Sequence, residues 1–450
     1  MNTAAHAEHS IDINTLEVNA AQIDHSEPAA IPPDTKETFI PISRYDLQQS
    51  LNKPENWPEG TAQSAMRVLQ HLSAWRHDTY YKKLLKLNEL YITFNPDRDT
   101  KPVTQLNTKK DLIAQKAELK SNLIEILKQA NYQQIDHEKL NEYFEAKGPY
   151  GLNLEVDMSE FEDVLIYFRG SEDNIISKRS WKTLFLWKEK TAIPVFQRLF
   201  LLLKLKNNSV RLREIMAADE TNEKQAQKKL THLRKNLPVD LCPDSVYLKM
   251  FKNIPQSDLE MLFPNIKIKL RPFDKLKLYA TAGGGTLGGL FATATKISAA
   301  AASPIALVAA IFGLCGMVFR QVMKFFNQRN QYMMVLAQNL YFHNLANNRG
   351  ALTLMIDRAE EEDIKEDMLL YSYLTRHKTC LSKLQHADQE IENYLTEKFN
   401  IDIDYDFTDA LNRLMGDGLV YEDDEGFINA LSPDDACHHL VELRMKSLNL

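Results

Sequence analysis

The stretch LYATAGGGTLGGLFATATKISAAAASPIALVAAIFGLCGMVF, Leu278 to Phe319, carries one charged residue, Lys296, in a chain of which 26% of residues are charged. Lys296 divides it into uncharged runs of 18 and 23 residues. A helix rises about 1.5 Å per residue and a bilayer hydrocarbon core is about 30 Å thick, so each run is about long enough to cross it. The stretch predicts a two-helix transmembrane hairpin over residues 278–323.

Basic residues flank the predicted hairpin on both sides, and cytoplasmic flanks are typically rich in Lys and Arg. We therefore expect both soluble regions in the cytoplasm and membrane lipids as partners. A hairpin buried inside a soluble protein is the alternative. The first span has small residues four apart, a spacing that lets helix backbones approach closely. This predicts helix packing, and a homo-oligomer, through Gly284, Gly285, Gly288 and Gly289.

The composition of the first 35 residues and the net charge of the chain restrict the class of protein to which it can belong. Residues 1–35 contain six acidic residues and no Lys or Arg, which argues against a secretory signal or a mitochondrial presequence. We predict a disordered acidic tail over 1–38 and the bacterial inner membrane as the location. The net charge of −7 argues against a general nucleic-acid binder. Four widely spaced cysteines and the lack of nucleotide-binding or zinc motifs predict no cofactor and no metal.

Hydrophobic periodicity divides the rest of the chain into segments and predicts an α+β multidomain protein. Residues 39–150 read as a helical region and residues 324–376 as another. Residues 151–277 read as an α+β region with a small mixed sheet, because short runs such as 164–168 and 195–203 are rich in β-branched and aromatic residues.

The last segment, residues 377–450, has the pattern of a winged-helix-like domain. Helices are predicted at 388–399 and 406–415, followed by a hairpin around residues 422–426. Between His386 and Leu431 there are 13 acidic and two basic residues, a net charge of −11. DNA phosphates would be repelled by this field, so we expect a protein partner at this acidic domain rather than nucleic acid.

A polar cluster follows the hairpin, and it is the best candidate for a ligand site. Asn and Arg side chains can bind a phosphate or lipid head group through directed hydrogen bonds. They could equally cap one helix and start the next. An enzyme acting on a lipid or phosphate-bearing substrate would require Arg169, Tyr341 and Asn348 to converge in one pocket. The candidate ligand-binding residues are Arg169, Tyr341, Asn344, Asn348 and Arg349, and no catalytic residue can be named.

Three further patterns are weaker. Glu362 and Glu366 share a helical face and could ligate a metal, although a solvated helix start is favoured. His438, His439 and Glu442 have metal-compatible spacing, but an incidental placement is favoured. A small oligomeric pore is also open, and it would be lined by a polar stripe of Thr281, Thr286, Thr293 and Lys296.

Several motifs occur in a distinctive order, among them Phe39-Ile-Pro-Ile-Ser-Arg-Tyr-Asp-Leu, Tyr167-Phe-Arg-Gly and Asn339-Leu-Tyr-Phe-His-Asn-Leu-Ala-Asn-Asn-Arg-Gly. In this order the chain resembles the transmembrane protein 143-like family, a domain of unknown function, from Phe39 to the C-terminus. The resemblance implies a membrane protein with no established reaction, here a bacterial member. Together these observations predict a membrane-anchored, cytoplasm-facing scaffold or regulatory protein.

Overall fold

The computed structural model describes residues 36–98, 109–145, 153–179, 188–235, 237–238, 241–269, 340–380 and 383–447, with isolated positions at 316, 319, 320, 323 and 334. The predicted acidic tail up to residue 35 lies outside this range. So do the four glycines of the predicted hairpin and the predicted pore stripe.

The first half of the described chain starts with helices and continues into strands. Helix α2 is 30 residues long and has no proline or internal glycine, so nothing in its sequence interrupts it. The elements are α1 (Arg44–Leu51), α2 (Ala62–Tyr91), α3 (Lys109–Gln129), β1 (Gln133–Gln134), α4 (His137–Glu145), β2 (Asn153–Glu155), β3 (Phe161–Arg179), β4 (Lys188–Leu205), α5 (Asn208–Asp219), α6 (Glu223–Arg234), β5 (Tyr247–Pro255) and β6 (Lys267–Lys269).

The second half is mainly helical. Its long first helix crosses the centre of the molecule, and the remaining elements form a small C-terminal unit, residues 377–447. The elements are β7 (Asn344–Asn347), α7 (Asn348–Leu374), β8 (Thr379–Cys380), α8 (Leu384–Phe399), α9 (Phe407–Gly416), β9 (Val420–Glu422), β10 (Phe427–Ala430) and α10 (Pro433–Ser447).

The main sheet has five strands in the order β1-β3-β4-β5-β7, and every neighbouring pair is antiparallel. A mixed sheet was predicted, and that prediction is wrong. Parallel neighbours need a long crossover, whereas β3 and β4 run directly back along each other from Arg179↔Lys188 to Phe161↔Leu205. There are two smaller sheets. One pairs β2 with β6, and the other has the strand order β8-β10-β9.

Alternate side chains of the main sheet fill two separate cores. On one face, Leu165 and Tyr167 pack under α2, α3 and α7. On the other face, Ile166 packs with α4 and the short helix Gln256–Leu262. A third core joins α1, α2 and α7 to the C-terminal unit. Helix α7 contributes to two of these cores, and every residue from 362 to 374 is buried.

The transmembrane hairpin in the predicted fold class needs correction. Among the described residues, no helix is long and apolar enough to cross a membrane. The two longest described helices, α2 and α7, both carry many charged side chains. Most of residues 278–323 lies outside the described range. A run low in charge is a weak basis for a membrane span when it is rich in glycine, because glycine adds little to the insertion free energy.

Candidate functional site

An extended segment at the start of the described chain, residues 36–42, links the main sheet to the C-terminal unit; we call it the strap. The carbonyl of Glu37 accepts a hydrogen bond from the backbone N–H of Asp404 at 2.9 Å. The Glu37 side chain accepts another from the backbone N–H of Ser171 on β3 at 2.7 Å. Because the strap bonds to both parts, residues 36–38 belong to the fold rather than to a disordered tail.

The middle of α7 carries a group of buried charged residues, which we call the ionic core. Its five members on α7 are each 3% exposed or less. Charged side chains are rarely buried to this extent in a protein unless they are paired. The strap contributes the backbone N–H of Ile40, which bonds to Glu362. Lys365 binds Glu362 at 2.9 Å. The α7 members are Glu362, Asp363, Lys365, Glu366 and Asp367.

The guanidinium of Arg413, on α9, contacts three carboxylates of the ionic core. Its Nη1 lies 3.1 Å from Asp363, its Nη2 lies 2.7 Å from Glu366 and its Nε lies 3.0 Å from Asp367. From α2, Arg76 binds the other carboxylate oxygen of Asp367. Buried carboxylates are stable only when they are paired and hydrogen-bonded, so these arginines hold α2, α7 and α9 together.

Two carboxyl groups of the ionic core, Asp363 and Glu366, hold protons more tightly than usual. Burial raises the pKa of Asp363 to about 6, and nearby Asp367 adds to this while Arg413 opposes it. Burial also raises the pKa of Glu366 well above its ordinary value, despite the opposing charge of Arg413. The phenol of Tyr80 donates a hydrogen bond to Asp363 at 2.6 Å, which favours the ionised carboxylate.

An open cavity of about 290 Å³ lies where the strap meets the C-terminal unit, and we call it the acidic pocket. Carboxylate oxygens of Asp388 and Asp404, which line it, and of the adjacent Glu392 lie within 4.8 Å of one another. Among the described residues, this is the group whose spacing could hold a cation. The pocket is lined by Thr38, Leu384, Gln385, Asp388, Asp404, Tyr405, Asp406, Phe407 and Thr408.

A lysine of the strap already binds at the edge of this pocket. The Nζ of Lys36 lies 3.3 Å from Glu392 and 2.9 Å from Asp402. Burial raises the pKa of Asp388 to about 6, and Glu392 and Asp404 raise it further while Lys36 lowers it. The acidic pocket therefore has unneutralised negative charge and can accept a second cationic group.

Comparison with known proteins identifies the middle of the chain. A DUF3754 domain, described as a protein of unknown function, spans residues 161–350. No solved structure matches the chain. The DUF3754 domain includes β3, β4, β5 and β7, and it ends in the first turn of α7. The ionic core and the acidic pocket therefore both lie outside its boundaries.

The residues predicted as a ligand site do not converge. Tyr341 is 76% exposed and packs edge to face with Phe342. Asn348 is buried, where its Oδ1 accepts hydrogen bonds from Tyr91 and from the backbone N–H of Leu248, both at 3.1 Å. Asn348 has a left-handed backbone with φ of 49° at the start of α7. Its bonds hold β5 and α2 to that helix start.

The other predicted residues are similarly separated. Arg169 lies in the DUF3754 domain, where it donates to the carbonyl of Ala130 at 3.2 Å. Arg349 is exposed on α7, and Asn344 lies in the edge strand β7. The convergence that motivated an enzyme acting on a lipid or phosphate-bearing substrate is therefore absent from the described residues.

The structure also changes the interpretation of the acidic residues on α7. The expected solvated helix start is wrong, because Glu362 and Glu366 lie in the buried middle of the helix. Of the C-terminal histidines, His439 bonds to the carbonyl of Asp417 at 2.7 Å, while His438 is exposed. Glu442 lies 3.8 Å from Lys446 instead.

Sequence reasoning missed the residues that complete both sites. Arg413 and Arg76 were not singled out, because each lies on a helix with no unusual pattern of its own. One signal was present, since Arg413 is one of only two basic residues in a strongly acidic segment. Lys36 was likewise the first basic residue of the chain.

Proposed function

We propose that this protein is a scaffold or regulatory protein and that its acidic pocket binds a basic segment of a partner protein. The observation that carries the proposal is the contact of Lys36 with Glu392 and Asp402, because it is an intramolecular example of the bond that a partner lysine would make. Exposed acidic residues around the pocket would attract such a segment over a distance of about one Debye length.

The position of α9 supports a protein partner over DNA. In a winged-helix protein the second helix of the motif commonly enters the major groove. Here Phe407, Ala410 and Leu414 of α9 are buried in the core shared with α7, and Arg413 is engaged with the ionic core. The exposed positions of this helix include Asp409 and no basic residue, so the face that remains open would repel DNA phosphates.

One residue connects the acidic pocket to the ionic core, which suggests regulation. The backbone N–H of Tyr405 donates to Glu392 at 3.2 Å, and its phenol donates to the carbonyl of Glu366 at 2.8 Å. A partner that moves Glu392 would therefore act on a residue bonded to α7. Such a connection is the physical basis for transmitting pocket occupancy to the rest of the fold.

The test is binding of a fluorescent lysine-rich peptide, with anisotropy as the readout. We expect Asp404→Asn to weaken binding at least about fivefold, because a close opposite charge is lost. Lys36→Met should strengthen binding, since it removes the competing cation. Asp424→Asn, on the exposed turn between β9 and β10, is the matched control. Equal affinity in Asp404→Asn and Asp424→Asn would contradict the proposal.

Several sequence predictions stay predictions. These are the closer kinship to the transmembrane protein 143-like family, a bacterial source, self-association and a location at the inner membrane with contacts to its lipids. Cell fractionation with an alkaline wash, followed by size determination of the purified chain, tests the last two.

A further inference from the structure

A row of basic residues crosses three strands of the main sheet. It lies at the end of the sheet face that packs against α2, α3 and α7. The antiparallel register places Arg169 on β3 opposite Arg198 on β4, and Arg198 opposite Lys252 on β5. Like charges directly opposite each other destabilise a sheet. The preceding row at the same face is apolar, with Tyr167, Phe200 and Met250. The basic row is therefore electrostatically costly, although the Arg169 guanidinium also packs over the Phe39 ring at 4.8 Å.

Two buried polar atoms beside this row have no hydrogen-bond partner in the described part of the chain. They are the phenol oxygen of Tyr132 and the Nε of Arg169. Tyr132 is 4% exposed and Arg169 is 8% exposed, and the Arg169 guanidinium lies 5.3 Å from the Tyr132 ring centre. A buried donor without a partner costs about 1–3 kcal/mol, so such atoms normally indicate a missing ligand or water.

Three arginines lie around these two atoms. Arg358 of α7 is the third arginine near Tyr132, and the charges of Arg169, Arg198 and Arg358 lower a tyrosine pKa that burial raises. Burial and the two other arginines lower the pKa of Arg198, while Tyr132 and Glu172 oppose them.

The acidic residues near the three arginines are partly engaged elsewhere. Glu361 pairs with Arg358 at 3.0 Å. Glu362 lies 3.8 Å from Arg169 but 2.9 Å from Lys365. The Glu172 carboxylate accepts a hydrogen bond from the side chain of Gln197 at 3.0 Å. Among the described residues, Arg198 makes no ion pair within 4 Å, and its Nη1 donates to the carbonyl of Gln197. Arg198 is thus the arginine of this cluster that lacks a paired carboxylate in the described part of the chain.

We infer that Arg169, Arg198 and Arg358, with the hydroxyl of Tyr132, form a binding site for a phosphate group. Guanidinium groups present several N–H donors in a planar fork that matches phosphate oxygens, and a dianion would neutralise facing arginines. The Tyr132 phenol and the Arg169 Nε would gain the partners that they lack. Arg198 and Arg358 are partly exposed, so a phosphate can reach the cluster from solvent.

This site is separate from the acidic pocket, and the inference does not rest on the proposed peptide binding. The phosphate could be inorganic, part of a soluble monoester or part of a lipid head group. The chemistry of recognition is the same in each case.

The test is calorimetric titration of the full-length protein with inorganic phosphate, at constant ionic strength and with chloride as the reference anion. We expect Arg198→Gln and Arg358→Gln each to weaken phosphate binding about tenfold or more. Tyr132→Phe should weaken it about threefold or more while leaving the unliganded fold intact, because its hydroxyl has no partner to lose. Arg213→Gln, on the exposed side of α5, makes the same charge change away from the cluster and should bind phosphate like the wild type.

Glycerol 3-phosphate and vesicles containing phosphatidic acid serve as the second and third ligands. Binding of any one of the three that is weakened in Arg198→Gln and in Tyr132→Phe supports the site, and the tightest of them identifies the source of the phosphate. If none of the three ligands binds, or if Arg198→Gln, Arg358→Gln and Tyr132→Phe all bind as the wild type does, the site does not exist. Circular dichroism of each variant separates lost binding from lost folding.

Discussion

The Nε of Arg413 donates a hydrogen bond to Asp367 at 3.0 Å, and it does so inside the molecule, where the Asp367 side chain has no exposed surface. This bond joins α9 of the C-terminal unit to the centre of α7. Arg76 reaches the same carboxylate from α2. One aspartate is therefore shared by three helices that are far apart in the sequence.

Removing Arg413 should destabilise the protein strongly. Arg413→Ala leaves three buried carboxylates without their main counter-charge, and breaking a buried pair from one side typically costs about 3–5 kcal/mol. The exposed Arg213→Ala should change the free energy of unfolding by less than about 0.5 kcal/mol. Urea denaturation of both variants measures the difference. A loss below about 1 kcal/mol in Arg413→Ala would mean that the ionic core is not structural.

Adjacent tyrosines on α2 provide a second matched pair. Tyr80 donates to Asp363, whereas Tyr81 is 53% exposed. Tyr80→Phe should cost about 1–3 kcal/mol, because it removes a donor from a buried carboxylate, and Tyr81→Phe should be close to neutral. Tyr80→Phe should also raise the pKa of Asp363 further, since the lost hydrogen bond favours the ionised form. Thermal unfolding compares the two variants, and equal midpoints would contradict the assignment.

The acidic pocket should make stability depend on pH in a defined direction. Because the pKa of Asp388 is raised from 3.8 to about 6, the folded state holds this proton more tightly than the unfolded state. The resulting stabilisation is fully present below about pH 4 and is lost as the pH rises through about 6. Asp388→Asn resembles the protonated form at every pH. It should be neutral at pH 4 and stabilising at pH 7 relative to the wild type.

Chemical denaturation at several pH values tests this directly, and carboxylate titration by NMR locates the Asp388 pKa. Lys36→Met should move that pKa upward, because Lys36 lowers it. A variant whose stability difference from the wild type does not change between pH 4 and pH 7 would exclude the shifted carboxylate.

Gly170 should resist substitution because of its backbone. Its φ is +76°, and an added Cβ would lie 2.5 Å from the Oε1 of Gln197. Gly170→Ala should therefore cost about 1–3 kcal/mol in backbone strain and displacement of Gln197. Gly350→Ala, in the first turn of α7, is the control, because its Cβ would make an ordinary 3.8 Å contact with Ala346. Denaturation midpoints that fall equally in both variants would contradict this account.

The periodicity of apolar residues predicted the helices well, because this pattern depends only on residues that are close in the sequence. The helical region predicted at 39–150 contains α2 (Ala62–Tyr91), and the two C-terminal helices predicted at 388–399 and 406–415 lie at Leu384–Phe399 and Phe407–Gly416. The predicted helical region is not one continuous helix after Lys109, because Asn131 adopts a left-handed φ of 58° and the chain forms β1 before α4 begins. A single asparagine is a weak signal for such a break.

The ionic core could not be predicted from local patterns. The acidic run on α7 has the composition of a solvated helix face, and its counter-charges lie elsewhere in the chain. Asp367 and Arg76 are 291 positions apart, and Asp367 and Arg413 are 46 apart. Only the packing of α2, α7 and α9 brings these charges together. The basic row across β3, β4 and β5 has the same origin, since it depends on strand register.

The position of α7 has a consequence for dissecting this protein. One face of the sheet of the DUF3754 domain packs against Leu352, Met355 and Ile356 of α7 and against residues of α2 and α3. All of these residues lie outside 161–350. A fragment cut at the family boundaries would leave that apolar face open to water. We expect such a fragment to aggregate instead of folding alone. The segment that matches the family would then be shorter than the segment that folds cooperatively.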